Sequence, residues 1–304
     1  MLRKQCLKKC AAAIGVAVLL AVSAGNAADA PIRLSNDTLK LTLDPNHGGR
    51  ITELWYGERD LLAIPQPGAN NFGSTFWLSP QTLWNWPPIP EHDNAPYSVI
   101  TQSIDSATVT SAFGAGAQIH KTVSLGGDNT ASVHYRINAE KAFPEIAAWE
   151  ITRVPNQGLA FAPVNRDSVK TVRGQVAYKL NSETLWLPMV TGAPLVEGKV
   201  IANGSEGWLA YALDGLLYLK VYPKVALREM ATGEGDIELY LSGERPYLEL
   251  EVQSAARSLQ PGETLDWSVE WLVTEIPNTI EVRSGSHALL EFVRRQIHLS
   301  DSPD

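Results

Sequence analysis

Cysteine is almost missing from this chain. The two that occur, Cys6 and Cys10, both lie near the N-terminus, inside a segment that reads as a removable leader. Arg3, Lys4, Lys8 and Lys9 form its basic start, AAAIGVAVLLAVSAG is a short apolar stretch, and Gly25-Asn26-Ala27 supplies small residues before a cut after Ala27. This is the pattern of a secretory signal peptide, and its apolar run is too short for a membrane span. The expected mature chain, residues 28–304, then has no cysteine, which excludes disulfides, thiol nucleophiles and Cys-based metal sites. A cysteine-free secreted chain of this size points to a bacterial periplasm. No second apolar run follows, so no membrane insertion is expected after cleavage.

Positive charge is also scarce. The leader takes away four of the 25 basic residues and none of the 33 acidic ones, leaving 21 and a formal charge of −12. Nucleic acid and anionic membrane surfaces need a basic footprint, so neither is an expected partner. None of the six histidines has metal-ligand spacing with a second ligand. Neither a G-x-S-x-G elbow, a phosphate-cradling glycine loop nor a dinucleotide fingerprint occurs, so no metal and no cofactor are expected. Helical periodicity is rare too. Only HALLEFVRRQI, residues 287–297, sets Leu289, Leu290, Val293 and Ile297 on one side.

What is present is alternation. Leu39, Leu41 and Leu43 alternate with Lys40 and Thr42, and Leu217, Leu219 and Val221 with Tyr218, Lys220 and Tyr222. Ile237, Leu239 and Leu241 alternate with Glu238 and Tyr240, and Trp267, Val269, Trp271 and Val273 with Ser268 and Glu270. Period two marks half-buried antiparallel strands. Turn signals separate them, among them DPNHGG, LGGDN, NGSEG, GEGD and QPGE. Many short strands with one C-terminal helix predict an all-β sandwich or barrel, and no linker divides residues 28–304, so one domain is expected.

Several stretches carry chemistry. In YLELEVQ, residues 247–253, Leu248, Leu250 and Val252 take one face, and Tyr247, Glu249, Glu251 and Gln253 the other. Two carboxylates on one face raise each other's pKa when partly buried, which suits proton transfer; a solvated sheet face is the plainer reading. In AAWEITRVP, residues 147–155, Glu150 or Arg153 could point into a cleft or form a cross-strand pair. Arg173 on VKTVRGQVAYK stands on the same footing. HGGRI, residues 47–51, is a corner where Gly48 and Gly49 permit positive φ between His47 and Arg50.

The strongest local signal is FGSTFWLSPQTLWNWPPIPEHDNAPY, residues 72–97, with Trp77, Trp84 and Trp86 amid five prolines. The prolines predict an ordered loop rather than helix. Indole faces lose little entropy on binding and suit the C–H face of a pyranose, with Gln81, Asn85, His92 and Asp93 able to bond its hydroxyls. The alternative is that the rings cap the open end of the core.

The order of these features, GGRITEL, AAWEIT, YLELEVQ and SLQPGETLDWSVEW, resembles the galactose mutarotase-like (aldose 1-epimerase) superfamily over nearly the whole mature chain. WLSPQTLWNWPP resembles the W-x-x-P-Q-x-x-W-x-W-P-P loop of a secreted branch. The resemblance implies one large antiparallel β-supersandwich with a short C-terminal helix and a sugar cleft on one sheet. Members use the Glu of an "L-E-x-Q" strand as base, which Leu250-Glu251-Val252-Gln253 matches, so the resemblance makes Glu251 the first candidate. The family's two acid-site histidines have no counterpart, since AAWEIT stands where one is expected and the tryptophan loop where the other is. His47, His92 or Arg153 would have to serve.

Four readings remain open at this point: an aldose or sugar-acid enzyme, a periplasmic carbohydrate-binding protein, a glycoside hydrolase or lyase, and a module docking another protein. The sequence favours a carbohydrate ligand, with Trp77, Gln81, Trp84, Trp86, His47, Arg50, Glu150, Arg173 and Glu249 as binding residues and Glu251, His92 and Arg153 as catalytic ones. The tryptophan loop is expected to form one wall of the cleft.

Overall fold

A computed structural model describes residues 30–62, 71–127 and 129–300, so the leader lies outside the described residues. The alternating segments form two antiparallel sheets of eleven and ten strands. The larger runs Ile32–Ser35, Leu39–Asp44, Arg50–Tyr56, Ser74–Ser79, Phe143–Pro155, Tyr247–Gln253, Ile237–Leu241, Gly198–Ala202, Lys170–Gly174, with two short strands beside this path. The smaller is centred on Trp208–Leu213, Leu216–Val221, Thr264–Glu275 and Thr130–Ala139. Alternate residues of each sheet meet in one apolar core: Ile237, Leu239, Leu248, Leu250 and Val252 from the larger, Tyr135, Trp267, Val269 and Trp271 from the smaller. This two-layer arrangement leaves the other face of each sheet to be covered or used.

On the smaller sheet that face is covered. The C-terminal helix, His287–Ser300, lays Leu289, Leu290 and Val293 over Leu217, Leu219, Trp208 and Phe161. Leu216–Val221 is therefore buried on both sides, where its alternation predicts a half-buried strand. The consequence is that Tyr218 and Lys220 point between the sheets. Lys220 is fully buried, and its Nζ lies 3.0 Å from Glu150 Oε1, while donating to Thr152 Oγ1 and the Leu250 carbonyl.

Glu150 thus sits in the interior and not in a cleft. It also accepts hydrogen bonds from Tyr135 Oη at 2.7 Å and Trp271 Nε1 at 3.0 Å. On its strand the apolar Trp149 and Ile151 face outward and the charged Glu150 inward.

The tryptophan stretch is more regular than a loop. Ser74–Ser79 is a buried strand, so Trp77 is a sheet residue paired with Trp149. Gln81–Leu83 is one 3-10 turn, and Pro90–Asp93 one helical turn. Proline tolerates this place because the first helical residue has no N–H to contribute to the helix.

Removing one partner from a desolvated pair costs about 3–5 kcal/mol, because the other charge is left buried alone. Lys220→Met is expected to lower the unfolding free energy by about that much. Adding Glu150→Gln to Lys220→Met should recover part of the loss in urea unfolding, and a double variant as unstable as the sum of the singles would contradict the pairing.

Candidate functional site

The outer face of the larger sheet carries the site. The register places Trp149 opposite Trp77 on one side and Gln253 on the other, and Arg153 opposite Glu249. Across the next ladder Glu251 faces Glu238 and Glu249 faces Tyr240, and Tyr240 in turn faces Lys199. Period two then brings Trp77, Trp149, Glu249, Tyr240 and Lys199 onto one surface. With Trp86 they line a cleft of about 1100 Å³, closed by Asn71, Gln81, Arg173, Arg245 and Tyr247.

Its floor is a charge cluster almost closed to solvent. Lys199 Nζ lies 2.5 Å from Glu238 Oε2 and 3.0 Å from Glu251 Oε2, both carboxyl groups being inaccessible. The same ammonium sits 4.8 Å over the Trp149 ring, and Trp149 Nε1 donates to Glu251 Oε2 at 2.9 Å. Burial opposes the lysine's charge, but attraction to Glu238 and Glu251 outweighs it and holds the pKa above its ordinary value. Burial pushes the Glu251 carboxyl well up, with repulsion from Glu238 and Glu249 adding to it against Lys199. Next to this cluster Arg153 Nε donates to Glu249 Oε1 at 2.8 Å, its guanidinium lying 5.7 Å over Trp77.

A second set of bonds fastens the tryptophan segment to the floor. Asp93 Oδ1 accepts from Trp77 Nε1 at 2.8 Å, Thr75 Oγ1 at 3.0 Å and Arg50 Nη2 at 3.2 Å. Ser79 Oγ donates to Gln253 Oε1, and Gln253 Nε2 to Glu238 Oε1 at 3.0 Å. The Gln81 backbone N–H donates to Glu234 Oε1 at 2.8 Å. Gly48, at φ +66, allows the corner to touch this segment, since a Cβ there would meet the Asp93 carbonyl oxygen at 2.2 Å.

Of the residues singled out from sequence, Trp77, Gln81, Trp86, Arg173 and Glu249 line the cleft. Glu251 and Arg153 lie beneath them, fully buried and holding the lining side chains. Trp84 stands behind Trp77, edge-on at 5.5 Å, with Nε1 donating to the Leu78 carbonyl, so it supports the wall without forming it. His92 is buried, its Nε2 3.0 Å from the Ala117 carbonyl oxygen, and burial lowers its pKa. Arg50 is buried against Asp93, and burial pulls its pKa down to about 10. His47 pairs with Asp44 at 2.7 Å. These three, like Glu150, are not cleft-lining residues, and among the described residues no histidine lines the cleft.

Sequence reasoning missed Trp149, Lys199, Tyr240, Tyr247, Asn71 and Arg245 as site residues. Tyr240 and Tyr247 already sat on the polar faces of their strands. Lys199, in the short strand Gly198–Ala202, carries no signal beyond one cation opposite an aromatic.

Solved structures share this fold. A GalM/aldose epimerase homologue from C. elegans superimposes with a TM-score of 0.51 at 10% identity, covering 81% of this chain and 99% of its own. The Slr1438 protein from Synechocystis sp. PCC 6803 gives 0.55 at 14% identity, covering 81% and 96%. A protein from Escherichia coli K12, described as a candidate aldose 1-epimerase, gives 0.54 at 11% identity, covering 81% and 99%. The fold is that of the galactose mutarotase-like proteins. The family model "Domain of unknown function (DUF4380)" matches residues 71–274, and the chain belongs to that family. A search of curated proteins found no match.

Glu234 supplies a pH test of the loop anchor. Burial, and then repulsion from Glu238, raises its pKa from 4.5 to about 7. The folded chain therefore binds this proton more tightly than the unfolded chain does. The group's stabilising contribution is complete below pH 4.5 and is lost as pH rises through about 7. Glu234→Gln is expected to flatten the fall in the urea midpoint between about pH 5 and about pH 8, and an unchanged slope would contradict the assignment.

Proposed function

We propose that the protein binds a carbohydrate in the cleft on the outer face of its larger sheet. One observation carries this reading. Three indole rings, Trp77, Trp86 and Trp149, meet Lys199, Glu249, Tyr240 and Tyr247 around a single cleft. Flat apolar faces beside fixed donors and acceptors suit the two-sided character of a pyranose ring. The mutarotase-like fold supports a sugar-related role. The basic-then-apolar N-terminal segment and the cysteine-free remainder support a secreted, periplasmic setting.

Turnover at the anomeric centre is the second reading, favoured by Glu249 and Lys199 reaching the same cleft. Glu249 would take the proton of the anomeric hydroxyl while Lys199 protonates the ring oxygen. The C1–O5 bond would open to the free aldehyde, and closure on the other face would return both protons. Glu249 would then have to share its carboxylate between substrate and Arg153, and Glu251, the family-matched glutamate, would act only by holding Lys199. Binding asks for neither rearrangement and is the primary reading.

Saturation-transfer NMR of residues 28–304 with a panel of aldoses, uronic acids and oligosaccharides tests both. Binding is expected, and Tyr240→Ala should weaken it about tenfold while leaving the circular-dichroism spectrum unchanged. Exchange between α and β anomer signals that vanishes in Glu249→Gln would establish turnover. Silence across the panel would overturn the carbohydrate reading.

A further inference from the structure

The cleft is larger than one sugar. From Trp77 on Ser74–Ser79 to Arg173 on Lys170–Gly174 its lining crosses six adjacent strands of the larger sheet. At about 4.8 Å between strands, the five intervals span about 24 Å. A single pyranose with its hydroxyls covers only a fraction of that width. The volume of about 1100 Å³ exceeds what a small ligand needs to be enclosed.

The two ends differ from the middle. At one, Trp86 is 64% exposed and stands at 83° to Trp77, 6.3 Å between ring centroids. Its neighbour Trp84 is tied down by a backbone hydrogen bond, so Trp86 is held on the outer rim of the cleft. At the other, Leu195 and the half-exposed Val196 form an apolar edge. Between them lies the polar floor.

The charges in the lining cancel locally. Arg173 pairs with Glu197 at 3.1 Å, Glu249 with Arg153, and Lys199 with Glu238 and Glu251. Glu244 and Arg245, adjacent on the turn after Ile237–Leu241, bring one charge of each sign. Among the lining side chains three cations, Arg173, Lys199 and Arg245, stand with three carboxylates, Glu197, Glu244 and Glu249, so the lining carries no surplus of either sign to capture an ionic ligand.

We infer that the ligand is a neutral oligosaccharide laid across the strands, with Trp86 as the platform of an outer sugar subsite. This rests on the carbohydrate reading above and goes beyond it in size and charge. The middle rings would lie over Trp77, Trp149 and the floor, and the next unit would stack on Trp86. Locally cancelled charges then serve as hydrogen-bond donors and acceptors for hydroxyls rather than as ionic hooks.

The test is an immobilised series of glucans, mannans, galactans and xylans, graded from monosaccharide to hexasaccharide, with uronate chains of matching length, probed with residues 28–304. Affinity for at least one neutral series is expected to rise about tenfold or more from monosaccharide to tetrasaccharide. Trp86→Ala should erase most of that rise and change the urea midpoint little, since the ring is 64% exposed at the rim. Affinity that stops rising at one sugar unit would overturn this inference and leave the carbohydrate reading standing. Preference for uronate chains that fades with added salt would overturn the neutral assignment. Retention of no glycan would remove both readings and leave the exposed indole as a contact for a protein.

Discussion

Glu238, Glu249 and Glu251 stand together on two neighbouring strands with almost no access to water, and the cleft is organised around neutralising them. An unpaired carboxylate in such surroundings is expensive by several kcal/mol, far beyond what one buried leucine returns. Lys199 and Arg153 supply the countercharge, and Trp149, Gln253 and the Gly235 backbone N–H donate hydrogen bonds to the carboxylates. Such clusters add little net stability, because desolvation consumes most of the Coulomb energy. What they provide is fixed geometry. A ligand meeting this floor finds donors and acceptors already oriented, so less ordering is left to do on binding.

The same constraint reaches the tryptophan wall. Asp93 gathers Trp77, Thr75 and Arg50 on one carboxylate oxygen, so the helical turn of the Pro90–Asp93 segment, the Gly-Gly corner and the cleft wall are tied into one unit. Glu234 and Gln253 make the second attachment, from below. His92, expected on the tryptophan loop, and Arg50, expected at the Gly-Gly corner, are the fastenings of that unit. The exposed Trp86 is the part of it left for an outside partner.

How much of this could be read from the chain depends on the range of the forces involved. The strand alternation of YLELEVQ placed Leu248, Leu250 and Val252 inward and the glutamates outward, as observed, because one-face burial is a local pattern. Depth is not local. Glu251 vanishes beneath the floor while Glu249 reaches the cleft, and the difference is made by Lys199 and Glu238, which approach only through strand pairing. AAWEIT misled for a related reason: Trp149 and Ile151 face outward and pack with Trp77, while Glu150 found Lys220, Tyr135 and Trp271 inside. The C-terminal helix was legible from its own periodicity, but its effect on Leu217 and Leu219 was not.

The central claim is that ligand meets this one face of the larger sheet. Indole N–H spectra of protein labelled with 15N at its nine tryptophans test it most directly during titration with an oligosaccharide pool. The account predicts shifts at Trp77, Trp86 and Trp149, with Trp186 and Trp208, under the helix of the other sheet, unmoved. Shifts confined to Trp186 and Trp208, or none at all, would contradict it.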